Sequence, residues 1–123
     1  MVTDVDLGWF QKELYDLHNR VRRQHKLDEL FRLEQLEKLA IQHSKTMARN
    51  ERMFHSDLGR FENVGFMSVT KEGDEHTLAM RMMNSWEHSS GHFKNIINPR
   101  IKFIGIGVAK DSAENPYFTV IFE

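Results

Sequence analysis

Residues 103–109, FIGIGVA, predict a β-strand whose two faces differ. Side chains alternate between the faces of a strand, so Ile104, Ile106 and Val108 share one face. The other face carries Phe103, Gly105, Gly107 and Ala109. Small residues in a strand often mark the close approach of another backbone. We therefore expect a helix or a neighbouring main chain to lie unusually close to this second face.

Two further strands are expected around this one. Residues 117–122, YFTVIF, are mostly β-branched or aromatic, and the turn-forming segment DSAENP separates them from residues 103–109. Another strand is expected from about Glu62 to Val69, followed by a turn at KEGDE, residues 71–75. The sequence therefore predicts a small, mainly antiparallel sheet.

The first half of the chain predicts two helices, because its apolar residues are spaced three and four apart. The first helix is expected from Leu7 to about His25, with Asp6 as its N-cap. The second is expected from about Leu33 to Glu51. Between them, residues 26–31, KLDELF, are predicted to form a short connection whose leucines lie under the core.

A second pair of helices is expected before the strand at residues 103–109. One runs from Glu75 to Trp86, and a short one, capped by Ser89 or Ser90, continues through Ile97. We expect Trp86 to be buried against the sheet. The element order α-α-β-α-α-β-β, without repeats or linkers, predicts one α+β domain over residues 1–123 in which helices cover the sheet.

The composition excludes several classes of protein. The formal net charge is −1, from 17 basic and 18 acidic side chains, which argues against a nucleic-acid partner. No apolar run is long enough for a transmembrane segment, and the first ten residues lack the pattern of a signal peptide. The chain contains no cysteine. We expect a monomer that is stable without disulfides or a structural metal.

Several short motifs occur in an order that resembles one known family. They are HNRVR at 18–22, KLAIQHSKTMA at 38–48, FHS at 54–56, FENVG at 61–65, WEHSSGHFKNI at 86–96, IGIGVA at 104–109 and YFTVIF at 117–122. In this order they resemble the CAP superfamily of SCP-like proteins, which includes cysteine-rich secretory proteins, venom antigens and pathogenesis-related proteins. The resemblance covers about residues 7–123 and is closest to the cysteine-free microbial branch.

The resemblance implies a three-layer α-β-α sandwich with a cleft lined by two histidines and two acidic residues, which can hold a divalent cation. Matched residue by residue, the histidines fall on His55 and His92 and the first glutamate on Glu62, although Phe61 replaces the glycine usual before it. The position of the second glutamate is occupied by Ser89. The implied cleft residues are therefore His55, Glu62, Ser89 and His92.

No cofactor is required by the sequence, but two imidazoles and a carboxylate form an adequate ligand set for zinc, so Zn²⁺ or another divalent cation is a candidate, with His55 and His92 as candidate ligands. His88 and His92 are four residues apart, but the SSG between them predicts that they lie on different helices. The remaining motif residues are expected to have structural roles: His18, Asn19, Arg22, Asn63 and Trp86.

Three functions follow as hypotheses. The first is a non-enzymatic CAP module whose cleft binds a divalent metal, a small ligand or a lipid, or whose surface binds a protein. The second is a metal-dependent hydrolase or protease built on His55, His92 and Glu62. The third is a lipid or sterol carrier. The resemblance implies an extracellular or cell-surface location, and a cytoplasmic one stays open.

Overall fold

The computed structural model describes the backbone of residues 4–69 and 75–123 and the side chains of residues 7–69 and 77–123. Within these residues the chain forms four helices and four strands. The helices are α1 (Asp4–Gln24), α2 (Glu34–Asn50), α3 (Glu75–Glu87) and α4 (Ser90–Ile96). The strands are β1 (Phe31–Arg32), β2 (Phe61–Phe66), β3 (Phe103–Lys110) and β4 (Pro116–Phe122).

The strands form one sheet in the order β1-β3-β4-β2. The short strand β1 pairs with β3 in parallel, whereas the β3–β4 and β4–β2 pairs are antiparallel. Helix α2 packs on one face, and α1, α3 and α4 cover the other. The expected α+β fold, a three-layer α-β-α sandwich, is confirmed. No helix among the described residues is both long and apolar enough to cross a membrane.

The close approach predicted at the face of residues 103–109 that carries Gly105 and Gly107 is confirmed. A Cβ atom added to Gly105 would lie closer than 3.0 Å to main-chain atoms of Leu36, and one added to Gly107 would be as close to the main chain of Ala40. Helix α2 therefore lies directly on the backbone of β3. In the same contact, the hydroxyl of Ser44 donates a hydrogen bond of 3.0 Å to the carbonyl oxygen of Gly107.

The opposite face of the sheet carries the main hydrophobic core. Ile104, Ile106 and Val108 pack there with side chains of α1 and α3. Trp86, at the end of the apolar stripe of α3, is 1% exposed, and its indole lies edge-on to Phe118 with the ring centroids 6.4 Å apart. The predicted burial of Trp86 against the sheet is confirmed.

Strand β1 is absent from the sequence prediction, which assigned residues 26–31 to a connection. The strand is held by main-chain hydrogen bonds, from Phe31 N–H to the carbonyl oxygen of Lys102 (2.9 Å) and from Leu33 N–H to that of Ile104 (3.0 Å). Because the side chain of Phe31 is 65% exposed, this strand leaves no alternation of apolar and polar residues in the sequence. Leu30, however, is fully buried, as expected.

Three predicted boundaries need correction or lie outside the described residues. Helix α1 begins at Asp4, so Asp6 lies within the helix and is not its N-cap. Strand β2 ends at Phe66, three residues before the predicted end at Val69. The turn expected at KEGDE lies mostly outside the described residues, because the description stops at residue 69 and resumes at residue 75.

Candidate functional site

The candidate site is a cleft at the edge of the sheet formed by β2. Side chains alternate along this strand, so Glu62 and Asn63 leave it on opposite sides. Glu62 points toward the loop that carries His55, and Asn63 points toward α4. The cleft has a volume of about 480 Å³ and brings together all four residues expected from the family resemblance: His55, Glu62, Ser89 and His92.

On one side of the cleft, Glu62 holds His55. The Nδ1–H of His55 donates a hydrogen bond of 2.8 Å to Oε1 of Glu62, which also accepts one of 2.9 Å from the N–H of Ser56. The hydroxyl of Ser56 donates to Oε2 of the same carboxylate. The side chain of Glu62 is only 4% exposed, whereas that of His55 is 62% exposed. Glu62 is therefore a buried anchor for a ring that faces solvent.

The hydrogen bonds at Glu62 also set its charge. Burial alone would raise the pKa of this carboxyl group, but the hydrogen bonds from the hydroxyl and N–H of Ser56 and from the ring of His55 outweigh burial. The pKa of Glu62 therefore lies below its ordinary value, and the carboxylate is ionised at neutral pH. An ionised carboxylate only accepts hydrogen bonds, so the proton between His55 and Glu62 lies on Nδ1 of the ring.

On the other side of the cleft, Ser89 holds His92. Ser89 occupies the N-cap position of α4, as expected, but its hydroxyl makes no capping hydrogen bond to the helix backbone. Instead, its Oγ shares a hydrogen bond of 2.8 Å with Nδ1 of His92. The residue that replaces the second glutamate of the family pattern therefore contacts the second cleft histidine. Burial, and secondly the charge of His55, lower the pKa of His92.

The two cleft histidines are thus held in the same way. Among the described residues, both rings make their hydrogen bonds through Nδ1, to Glu62 in one case and to Ser89 in the other. Nε2 is therefore the ring nitrogen that is left for a ligand in each case. A neutral His55 with its proton on Nδ1 carries a lone pair on Nε2, which is the form that binds metal ions.

The carboxylate of Glu62 lies in the cleft with the two histidines and is hydrogen-bonded to the protein through both of its oxygens. Within residues 7–69 and 77–123, no group of three or more histidine, aspartate or glutamate side chains is arranged to hold a metal ion. Three donated hydrogen bonds already occupy the carboxylate of Glu62. The two expected ligands, His55 and His92, share the cleft, and Glu62 orients one of them. His88 is exposed in the turn after α3 and His92 lies in α4, so the two do not share a helix, although His88 itself is not on a helix, contrary to the prediction.

The HNRVR motif lies away from the cleft. His18 is fully buried, and its Nδ1–H donates to the carbonyl oxygen of Leu14 (2.6 Å). Asn19 exchanges two hydrogen bonds with the backbone of Leu30, one of 3.1 Å and one of 2.7 Å. These contacts fasten α1 to the segment that leads into β1.

Arg22, the last residue of the motif, reaches the end of α4. Its guanidinium group donates hydrogen bonds of 2.9 Å to the carbonyl oxygens of Ile96 and Asn98 and one of 2.7 Å to that of Asp28. The motif therefore connects α1 to the segment before β1 and to the end of α4.

A family model for CAP, the cysteine-rich secretory protein family, matches residues 15–122, which include the HNRVR motif and the cleft. The chain belongs to the CAP family. It does so without a single cysteine.

Several solved structures have a fold similar to that of this chain at low sequence identity to it. An outer surface protein from Borrelia burgdorferi superposes with a TM-score of 0.74 at 21% identity, over 99% of this chain and 94% of that one. An extracellular protein containing an SCP domain from Bacillus anthracis gives 0.70 at 22% identity, over 94% and 41%. Hookworm platelet inhibitor gives 0.69 at 13% identity, over 100% and 70%. No curated protein sequence matches the chain. The TM-scores show a shared fold, and at these identities they show the fold alone.

In this CAP domain, two asparagines hold α4 against β2. Asn63 donates a hydrogen bond of 3.1 Å to the carbonyl oxygen of His92. Asn95 donates to Oδ1 of Asn63 (2.8 Å) and to the carbonyl oxygen of Glu62 (3.2 Å). The pair thereby places the helix that carries His92 beside the strand that carries Glu62.

Sequence reasoning missed two residues of the CAP cleft, Ser56 and Asn95. Asn95 follows His92 by three residues on α4, a spacing that puts both side chains on one face of the helix. Ser56 follows His55 directly in the FHS motif. Both positions lay within quoted motifs, but only the folded structure shows that they contact Glu62 and Asn63.

Proposed function

We propose that this CAP domain is a non-enzymatic binding module whose cleft holds a divalent transition-metal ion weakly through Nε2 of His55 and Nε2 of His92. The observation that supports the proposal is that the protein orients the two imidazole rings in the same way. Each has Nδ1 hydrogen-bonded to an oxygen of the protein, and both line one cleft. Metal-binding histidines commonly use such a partner to orient the ring.

The donor set favours particular metals. Two imidazole nitrogens suit zinc or copper, whereas magnesium and calcium prefer oxygen ligands. Glu62 and Ser89 act as positioning residues for the two rings. With two protein ligands, the affinity is modest, and the remaining coordination positions are available to water or to a ligand. When bound, the ion would supply a Lewis-acid centre for a carboxylate or imidazole group of that ligand.

The hydrolase hypothesis is less well supported by the same geometry. A general base needs a pKa near the working pH and room to accept a proton. Glu62 has a lowered pKa, and three donors already bind its carboxylate. The lipid-carrier hypothesis requires an apolar groove, but most residues that line this cleft have polar side chains, with Phe61 as its large apolar side chain.

We further propose that the domain acts at the cell surface or outside the cell. The support is the family itself and the names of two proteins of similar fold, an outer surface protein and an extracellular protein. Fractionation of the source cells with a specific antibody tests this. Detection in the surface or culture-medium fraction is expected, and detection in the cytoplasmic fraction alone contradicts it.

Titration calorimetry with zinc tests the metal site. The wild-type protein should bind saturably, and His55→Ala and His92→Ala should each lose measurable binding. His88→Ala is the matched control, because His88 is exposed and lies outside the cleft. Binding should weaken between about pH 7.5 and about pH 5.5, because protons compete for the same nitrogens. Equal zinc binding by all four proteins would refute the site.

A further inference from the structure

A second cavity lies on the α2 side of the sheet and has a volume of about 660 Å³, larger than that of the cleft. It shares no lining residue with the cleft. Its lining includes the small, buried side chains of Ala48 and Ala109. Its other residues come from the second half of α2 and the C-cap that follows it, from the end of β3 and from the turn between β3 and β4. We call it the α2–β3 cavity.

Three cationic side chains line the α2–β3 cavity: Lys45, Arg49 and Lys110. Lys45 and Arg49 are one helical turn apart on α2, so they share a face, and Lys110 is the last residue of β3. Within the described part of the chain, none of the three takes part in an ion pair. A chain with a net charge of −1 thus has a local group of unpaired cations.

The two acidic residues of the same lining are engaged elsewhere. Oδ1 of Asp111 accepts hydrogen bonds of 2.9 Å from the N–H groups of Ala113 and Asn115, which closes the turn between β3 and β4. Oε1 of Glu51 accepts one of 3.3 Å from the hydroxyl of Ser112. These bonds orient the two carboxylates toward the turn but leave their charges in place, so the three cations exceed the acidic side chains of the lining by one.

We propose that the α2–β3 cavity binds a phosphate ester of about the size of a sugar phosphate. A guanidinium group binds a phosphate through two parallel hydrogen bonds, and a lysine adds a point charge. The cavity volume lies in the range of small-molecule sites, about 300–1,000 Å³, and exceeds what a phosphate ion alone requires. The amide of Gln42 and the hydroxyl of Ser112, also in the lining, suit the hydroxyl groups of a sugar.

Glucose 6-phosphate is the probe, with inorganic phosphate and glucose as comparison ligands. Amide chemical shifts of the full chain labelled with nitrogen-15 are followed at low salt, because about 0.15 M salt screens exposed charges beyond roughly 8 Å. Saturable shifts are expected at Lys45, Arg49 and Lys110 with the ester. Binding should be weaker with inorganic phosphate and absent with glucose.

Two substitutions that each remove one positive charge sharpen the test. Arg49→Gln should weaken binding of the ester about tenfold, as expected for a lost charge-assisted hydrogen bond. Lys12→Gln is the control, since Lys12 is on α1, on the other face of the sheet, and pairs with Asp16. Both side chains are exposed, and unfolding curves verify that both variants fold.

Three results would overturn the proposal: no saturable shift with the ester, equal weakening in the two variants, or ester shifts confined to His55 and His92. Equal affinities for inorganic phosphate and for the ester would overturn the assignment to a phosphate ester. The first two results and equal affinities leave the zinc proposal untouched, because the α2–β3 cavity and the cleft have no residue in common, whereas shifts confined to His55 and His92 would place the ester in the cleft.

Discussion

The centre of the sheet and its β2 edge are held by different kinds of contact. At the centre, β3 lies against the backbone of α2, and the contact depends on the absence of side chains at Gly105 and Gly107. At the edge, polar side chains bind the carbonyl oxygens of β2 that point away from β4. Asn95 donates to Glu62 (3.2 Å), and Nε1 of Trp86 donates to Val64 (3.0 Å).

The close packing at the centre determines the fold, whereas the hydrogen bonds at the edge assemble the cleft. Contacts at the centre tolerate no added volume, because protein interiors are close-packed. Contacts at the edge are hydrogen bonds between residues roughly 20 to 30 positions apart in the chain, and each contributes about 1 kcal/mol. We therefore expect substitutions at the centre to affect stability most, and substitutions at the edge to affect ligand binding.

The largest effect is expected for Gly107→Val. The added side chain would overlap the main chain of Ala40 and Ile41 in α2, which cannot move without separating the helix from the sheet. We expect a loss of at least about 4 kcal/mol in the free energy of unfolding, beyond the usual cost of overpacking. Chemical denaturation followed by circular dichroism measures it.

Gly91→Ala is the matched control for that substitution. Gly91 lies in α4, and a Cβ atom added there has no atom within 4 Å. Because alanine favours helix, this variant should gain about 0.5–1 kcal/mol. Similar stabilities for Gly107→Val and the wild type would show that α2 can shift away from β3, and the contrast between centre and edge would fail.

The second effect concerns Trp86, which belongs to both regions. Its indole ring is buried in the core, and its N–H bonds the edge strand at Val64. Trp86→Ala should cost about 3–5 kcal/mol, as for other buried aromatic residues. Trp86→Phe keeps most of the apolar contact and should cost about 1–3 kcal/mol, for the unsatisfied carbonyl oxygen of Val64 and the lost ring volume. Equal losses of stability in Trp86→Ala and Trp86→Phe would contradict the separation of the ring's apolar contact from the hydrogen bond of its N–H.

The centre of the fold could be predicted from the sequence because its signals are local. The alternation in residues 103–109 indicated both the strand and the close approach of a neighbouring backbone, and the spacing of apolar residues indicated the helices. Strand β1 was missed because two residues bonded through their main chains leave no pattern in the side chains. The family resemblance supplied the three-layer arrangement.

The cleft could be predicted only in part. The resemblance indicated His55, Glu62, Ser89 and His92, but neither motif nor spacing showed that Glu62 is occupied by three donors. Those bonds depend on a loop that turns back onto β2, and their donors include a main-chain N–H and a small hydroxyl group. The use of Ser89 to bind His92, in place of capping α4, likewise depends on the orientation of one hydroxyl group.

The third effect is an acid sensitivity of the core. Burial, and secondly the charge of Arg22, outweigh the hydrogen bond to Leu14 and lower the pKa of His18 to about 4 from 6.5. The unfolded chain therefore takes up a proton at higher pH than the folded one. The stability due to neutral His18 is fully present above pH 6.5 and is lost as the pH falls to about 4, by about 3 kcal/mol.

The variant His18→Phe isolates this contribution. It keeps an aromatic ring beside Trp86 and Phe122 but cannot titrate. Denaturation midpoints between pH 7 and about pH 4 should fall less steeply in the variant than in the wild type. Carboxylates titrate in both proteins, so the difference between the two slopes reports His18. Parallel slopes would mean that folding does not lower the pKa of His18.

The smallest effect on stability, and the sharpest test of the edge, is expected for Ser89→Ala. The substitution removes the hydroxyl that is hydrogen-bonded to Nδ1 of His92. It removes no capping hydrogen bond from α4, because the hydroxyl of Ser89 makes none. Stability should fall by less than about 1 kcal/mol. Zinc affinity should fall about tenfold, because a metal-binding histidine without its partner loses its fixed orientation.

Ser90→Ala is the control for Ser89→Ala, since Ser90 is exposed at the first position of α4 and lies outside the cleft lining. Calorimetric titration of zinc into both variants and the wild type compares the three affinities, and only Ser89→Ala should show the loss. Wild-type affinity in Ser89→Ala would mean that α4 and its asparagine contacts are sufficient to orient His92. The orientation of His92 would then depend on Asn63 and Asn95, whose hydrogen bonds fix the helix as a whole, and not on the hydroxyl of Ser89.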